Sequence, residues 1–191
     1  MATSILCFVF SGMGAGKTMD LLRIAYNCNE QGIKPWLLTS SVDNRHGIGR
    51  ITSRSGFQQD ARPIDQSDNI YNLFVDENSK EQIDVVLVDE AMFLSNEQVW
   101  QLAKIVDDLG ISVTCFGLRS DFQGNLFEGS AALMAIADEI KTIDTRCRCG
   151  EKAIMNARIK DEKIVREGAQ VQIGGNESYK AMCRKCWGMP C

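Results

Sequence analysis

The stretch Ser11-Gly12-Met13-Gly14-Ala15-Gly16-Lys17-Thr18 limits what the rest of the chain can become. Before it runs Ile5-Leu6-Cys7-Phe8-Val9-Phe10, apolar and rich in β-branched and aromatic side chains, which predicts a buried strand. Behind it Leu21, Leu22, Ala25 and Cys28 recur on one side of a helical pattern that Gly32 closes. Strand, glycine-rich turn, Gly-Lys-Thr and helix make up the layout of a phosphate-binding loop. Its glycines let successive backbone N–H groups converge on phosphate oxygens, and the helix start adds the positive end of its dipole. Lys17 adds a full charge, and Thr18 can place its hydroxyl on a Mg²⁺ ion. Ser11 stands where the pattern G-x-x-x-x-G-K-[ST] has its first glycine.

Such a site needs a carboxylate for the metal on another strand. Ile83-Asp84-Val85-Val86-Leu87-Val88-Asp89-Glu90 supplies an apolar strand that ends in two acids. In a parallel sheet the carboxyl ends of the strands face the ligand crevice, which puts Asp89 near the phosphate loop as a Mg²⁺ ligand, direct or through water. Paired acids at a strand end can also cap a following turn. The order of the two signals favours the nucleotide reading.

Between these landmarks Pro35–Ser40 predicts a second strand. Residues 41–69 turn polar, a loop region containing Arg45, Arg50, Arg54 and Arg62, any of which could reach a phosphate or be surface charge. Ser95-Asn96-Glu97-Gln98 predicts a capping box opening a helix with Val99, Leu102, Val106 and Leu109 on its apolar face, stopped by Gly110. Ile111–Phe116 is a further strand. The loop from Gly117 to Phe127 is polar and glycine-rich yet holds Phe122 and Phe127, which either cover the domain edge or clasp a flat ligand. Ser130 is expected to cap a helix reaching Ile140, and Lys141–Asp144 to form a last strand. The predicted class is α/β: a P-loop domain over residues 1–144 with a mainly parallel sheet flanked by helices.

The composition changes after that. Cys147-Arg148-Cys149 and Cys183-Arg184-Lys185-Cys186 form two close cysteine pairs spanning a long loop, the usual way to build a closed tetrahedral Zn–S₄ site. With four protein ligands the zinc is structural, and residues 145–191 become a small zinc-tied domain. The N-terminus shows neither a basic n-region nor a small-residue cleavage site, so the expectation is a cytoplasmic chain with reduced thiols. No run of about 18 apolar residues occurs, which predicts no membrane span. A formal net charge of -4 argues against nucleic acid as a partner.

Taken in order, Ser11 to Thr18, Val86 to Phe93, Gly117 to Phe122, Val171-Gln172-Ile173-Gly174-Gly175-Asn176-Glu177-Ser178-Tyr179 and the paired cysteines resemble the zinc-containing (type II) thymidine kinases, closest to bacterial and phage members. The resemblance implies ATP-dependent phosphorylation of the 5′-hydroxyl of thymidine, and of deoxyuridine, giving dTMP and ADP. It implies that Ser11, Gly12, Met13, Gly14, Ala15, Gly16, Lys17, Thr18, Arg45 and Asp89 hold ATP and Mg²⁺, Arg45 being the arginine of the family's Asp-x-Arg motif. Glu90 matches the family's proton acceptor. Met13, Phe93, Leu118, Phe122, Phe127, Val171, Gln172, Ile173, Gly174 and Tyr179 match the thymine pocket, and the zinc-tied segment matches a lasso that closes over the nucleoside. A homotetramer and feedback inhibition by dTTP are further expectations of the same origin. Two departures stand out: Ser11 in the loop, and a C-x-C first cysteine pair. The competing readings are another P-loop phosphotransferase and a nucleic-acid-stimulated ATPase with a zinc ribbon.

Overall fold

The computed structural model describes residues 4–43, 47–171 and 179–189. Six strands form one all-parallel sheet: β1 (Leu6–Ser11), β2 (Pro35–Ser40), β5 (Arg62–Ile64), β6 (Val85–Asp89), β7 (Ser112–Leu118) and β8 (Glu139–Thr142). Their order is β5-β2-β6-β7-β1-β8. Parallel strands need long crossovers, and both faces of the sheet must then be covered. The apolar runs read from the sequence meet that demand by alternation. Val86 and Val88 of β6 join Phe8 and Cys115 in one core layer, while Leu87 joins Val9 and Phe116 in the layer on the other face.

Helices α2 (Ile70–Lys80), α3 (Asn96–Leu109) and α4 (Glu128–Ile136) cover the first layer, and α1 (Lys17–Glu30) the second. The capping box forms as expected: Ser95 accepts from the Gln98 N–H, and the Gln98 side chain accepts from the Ser95 N–H. Gly110 ends α3 with φ 68, a left-handed conformation that glycine adopts without the strain a side chain would bring. Val99, Leu102 and Val106 are buried; Leu109 is not.

Three elements differ from expectation. Residues 41–69 are more ordered than a polar loop: β3 (Arg50–Thr52) and β4 (Gln58–Asp60) make an antiparallel hairpin, and β5 extends the main sheet at Leu38↔Arg62. These strands have three residues each, too few for a period to show, and their burial rests on single side chains, Ile51 and Ile64. Ser130 does not cap α4. Phe127 holds the cap position in extended backbone, and the Ser130 hydroxyl instead donates to Leu118 O at 2.6 Å, fastening the helix to the end of β7. Nor does α4 reach Ile140: it stops at Ile136, and β8 starts at Glu139 rather than Lys141. All four β8 side chains are exposed, so only its backbone pairing with Cys7–Phe10 makes it a strand.

After β8 a second, three-stranded antiparallel sheet follows, β9 (Met155–Lys160) flanked by β10 (Lys163–Ile164) and β11 (Tyr179–Met182), with the short helix α5 (Arg184–Gly188) closing it. No helix among the described residues is long and apolar enough to cross a membrane.

Candidate active site

The phosphate loop leaves β1 at Ser11 and enters α1 at Lys17. Gly14 and Gly16 take φ 76 and 92, and Gly16 occupies the α1 cap position with no side chain over the helix start. That leaves the first N–H groups of α1 free to face an anion. Lys17 is buried, 8% exposed, and its Nζ donates to Ser11 Oγ at 3.1 Å and to Gly12 O at 3.2 Å. The serine that replaces the first glycine therefore holds the lysine. Burial pulls the Lys17 ammonium below its usual range, opposed by the charges of Glu90 and Asp89.

Strand β7 lies between β1 and β6, so Asp89 reaches the loop across one intervening strand. The Asp89 carboxylate accepts from the Glu90 N–H at 3.0 Å, and the Thr18 hydroxyl lies close enough to favour its charged form. Burial pushes this carboxyl up to about 6, with the hydrogen bonds from Glu90 and Thr18 and the Lys17 charge acting the other way. A buried carboxylate whose hydrogen-bond donors are neutral suits a bound cation. Asp89 and Thr18 thus fit Mg²⁺, whose charge would offset that of the phosphates.

Glu90 breaks from the strand. Its φ of 51 and ψ of 37 put a non-glycine residue in the left-handed region, at a cost of about 1–2 kcal/mol. The turn lets Ala91–Phe93 wind as one turn of 3-10 helix, its backbone pressed against α4 at Gly129. Strain of this kind clusters at functional positions. Lys17, Thr18, Asp89 and Glu90 line one cavity of about 430 Å³.

The same cavity continues into an aromatic chamber. Phe93 and Phe127 meet edge-to-face at 5.8 Å between ring centres, and Met13, Met92 and Leu118 pack around them. Phe122, Val171 and Tyr179 also line it. Phe122 is 1% exposed, and the Arg158 guanidinium lies 3.7 Å over its ring. The two phenylalanines of the loop after β7 therefore serve as cavity wall, not as an edge cover.

Of the residues expected from the sequence, Met13, Gly14, Gly16, Lys17, Thr18, Asp89, Glu90, Phe93, Leu118, Phe122, Phe127, Val171 and Tyr179 converge on this one cavity. Ser11, Gly12 and Ala15 do not line it; the first two anchor Lys17. Arg45, Gln172, Ile173 and Gly174 lie outside the described residues.

Sequence reasoning missed three polar residues. Asn156 accepts from the Met13 N–H at 2.8 Å and donates to Ser120 O at 3.1 Å, joining β9 to the phosphate loop and to the end of β7. Arg158, 5% exposed, donates to Tyr179 Oη at 2.8 Å and to Ala169 O at 3.0 Å. Asp121, 3% exposed, accepts from the N–H groups of Gln123 and Asn125 and from the Gln170 side chain. The available signal was alternation: Asn156 and Arg158 interrupt Met155, Ala157 and Ile159 at strand spacing.

Beyond the cavity, the thiols of Cys147, Cys149, Cys183 and Cys186 all lie within 4.8 Å of one another. Cys149 and Cys183 sulfurs are 3.6 Å apart, close to the edge of a tetrahedron with Zn–S bonds of about 2.3 Å. Hydrogen bonds from the backbone at Cys149 and Cys183 pull the Cys147 thiol down to about 6, toward the thiolate a metal requires. The one-residue spacing of the first pair is accommodated by a turn in which the Gly150 N–H donates to Cys147 O. The four cysteines fit zinc.

A glycine-rich phosphate loop and an aromatic chamber in one cavity, with acids lining it, define a P-loop α/β fold. The family model described as thymidine kinase matches residues 4–187, and the chain belongs to that family. The thymidine kinase of Ruegeria pomeroyi is 48% identical over 95% of this chain and 92% of its own length. That of Rhizobium meliloti is 47% identical over 96% of each. Among solved structures, the Pif1 helicase of Candida albicans aligns with 74% of this chain and 36% of its own at 15% identity, with a TM-score of 0.41, too slight a likeness to bear on function.

Proposed function

We propose that this chain transfers the γ-phosphoryl group of ATP to the 5′-hydroxyl of thymidine, and of deoxyuridine, giving dTMP and ADP. The observation that carries this reading is the continuity of the cavity from Lys17 and Thr18, past Glu90, to Phe93, Phe127 and Tyr179. Family membership supports it independently.

Phosphoryl transfer asks for alignment and charge neutralisation more than for covalent chemistry. Ser11 through Thr18 would grip the triphosphate, with Lys17 released from Ser11 and Gly12 to meet it. Asp89 and Thr18 would hold Mg²⁺. Glu90, at the turn between the two halves of the cavity, would accept the hydroxyl proton as the 5′-oxygen attacks. The base would lie between Phe93, Phe127, Leu118 and Phe122, with Val171 and Tyr179 closing over it. Arg45, Gln172, Ile173 and Gly174 are assigned to the phosphates and the base on the family pattern alone.

We further read residues 1–144 as the kinase domain and 145–191 as a lasso domain tied by structural zinc. The protein would act in the cytoplasm as a homotetramer inhibited by dTTP.

The test is a panel of nucleosides offered as acceptors with Mg-ATP. Thymidine and deoxyuridine should be phosphorylated and purine nucleosides should not. ATP turnover that depends on added DNA and ignores nucleosides would sink the reading. In Glu90→Gln, which keeps the shape but cannot take a proton, kcat should drop about 10²–10⁴-fold while thymidine and Mg-ATP still bind. Near-normal turnover in that variant would remove Glu90 as the base.

A further inference from the structure

The β3–β4 hairpin brings a second cation to the phosphate loop. Ile51, 1% exposed, pins the hairpin into the core layer beneath α1. Its turn is locked: the Ser53 N–H donates to Phe57 O at 2.8 Å, the Phe57 N–H to Ser53 Oγ at 3.1 Å, and the Gly56 N–H to Ser53 O at 3.0 Å. Arg54 projects from this turn with its guanidinium over Gly14. A β-carbon at Gly14 would lie 3.1 Å from Arg54 Nη1, which measures how closely the guanidinium approaches the loop. Arg54 lines the cavity together with Lys17, Thr18, Asp89 and Glu90. Its charge acts against that of Lys17.

Two cations over one anion cradle, one buried and one exposed, are arranged for a polyanion. The geometry points to Arg54 as a catalytic residue that grips the terminal phosphoryl group of ATP and follows its charge into the transition state. The position selects that phosphate over the inner ones. Gly14 follows Met13, whose N–H is held by Asn156 and whose side chain lies in the aromatic chamber. The guanidinium stands over the middle of the loop, in the cavity that also holds Lys17 and Glu90, the residue assigned above to the acceptor hydroxyl. A planar guanidinium offers two parallel donors to phosphate oxygens, which an ammonium cannot. This assignment rests on the phosphotransferase reading above.

The experiment compares the wild type with Arg54→Ala and Arg54→Lys in the full chain, by steady-state kinetics and by calorimetry of Mg-ATP and Mg-ADP. Arg54 is exposed, so thermal melting should be unchanged. For Arg54→Ala, kcat/KM for ATP should fall about 10–100-fold, the usual worth of a hydrogen bond to a charged group. Affinity for ATP should weaken while affinity for ADP stays within twofold of wild type. Arg54→Lys should recover only part of the loss. Equal weakening of ATP and ADP, or full activity in Arg54→Ala, would overturn the assignment and leave the proposed function standing. If the wild type itself transferred no phosphate to thymidine, that function would fall, and the ATP-against-ADP comparison would still decide whether Arg54 meets the terminal phosphate.

Discussion

Asp89 and Glu90 are neighbours with opposite local fates, and the difference is conformational. Asp89 ends a parallel strand and is sealed beneath the phosphate loop; Glu90 turns into left-handed backbone. Because the folded Asp89 carboxyl titrates near 6 and an unburied one near 3.8, the folded chain binds this proton more tightly than the unfolded chain. Its contribution to stability is therefore full below about pH 3.8 and is lost as the pH rises through 6. Asp89→Asn should stabilise the ligand-free protein at pH 7.5, by at most about 3 kcal/mol, with the gain shrinking toward pH 4. Thermal melts at the two pH values check this; a shift of the same size at both would mean that burial of the charge is not the cause. Activity should move the other way. Affinity for Mg-ATP should weaken below about pH 6 as Asp89 takes up a proton, and it should be poor at every pH in the Asn variant.

At the scale of elements, the turn that carries Glu90 is held from behind by a helix. A β-carbon on Gly129 of α4 would sit 2.4 Å from Ala91 O and 2.8 Å from Leu94 O, both backbone atoms of the turn that follows Glu90. In an ordinary helix alanine is preferred over glycine by about 1 kcal/mol. Here overpacking wins: Gly129→Ala should lose about 1–3 kcal/mol and lower kcat, since relief requires the turn to move. Urea unfolding together with kcat tests it, and a stabilised variant with normal kcat would show that α4 does not set the turn. The zinc-fitting cysteines act at the same scale. Holding a zinc, they would fasten Cys147 and Cys149 to the start of α5, which bounds the small sheet. One zinc per chain is expected in freshly reduced protein, and Cys183→Ser should raise the KM for thymidine more than that for ATP. Metal analysis that finds no zinc would remove the basis for this.

Across the whole molecule the two sheets meet at the cavity through a few polar contacts. Asn156 bridges the phosphate loop and β7, Trp187 donates to Phe122 O, and Gln123 donates to Arg166 O while Arg166 stacks on Trp187. Arg158 holds Tyr179 and the backbone at 169–170 together. The second sheet therefore serves as a wall of the aromatic chamber as well as part of the unit that carries the four clustered cysteines. Asn156→Ala leaves the Met13 N–H and Ser120 O without this partner, at a cost of about 1–3 kcal/mol in unfolding free energy. Thymidine binding should weaken with it, because Met13 and Ser120 both border the chamber. Calorimetry showing normal thymidine affinity in a destabilised variant would confine Asn156 to a structural role.

What the sequence determined by itself was local or periodic. The loop from Ser11 to Thr18, the strand ending in Asp89, the capping box at Ser95 and the four cysteines depend on short-range spacing, and each appears where the spacing put it. The family pattern named Met13, Phe93, Leu118, Phe122, Phe127, Val171 and Tyr179, which line one cavity. Tertiary structure alone decided the rest. The hairpin that carries Arg54 has strands too short for periodicity, and β8 is an exposed strand made by backbone pairing to β1. Ser130 looked like a helix cap because the sequence cannot show that Leu118 O stands within its reach. Asn156 and Arg158 looked like scattered polar residues, since a buried polar side chain is justified only by partners that folding brings from distant parts of the chain.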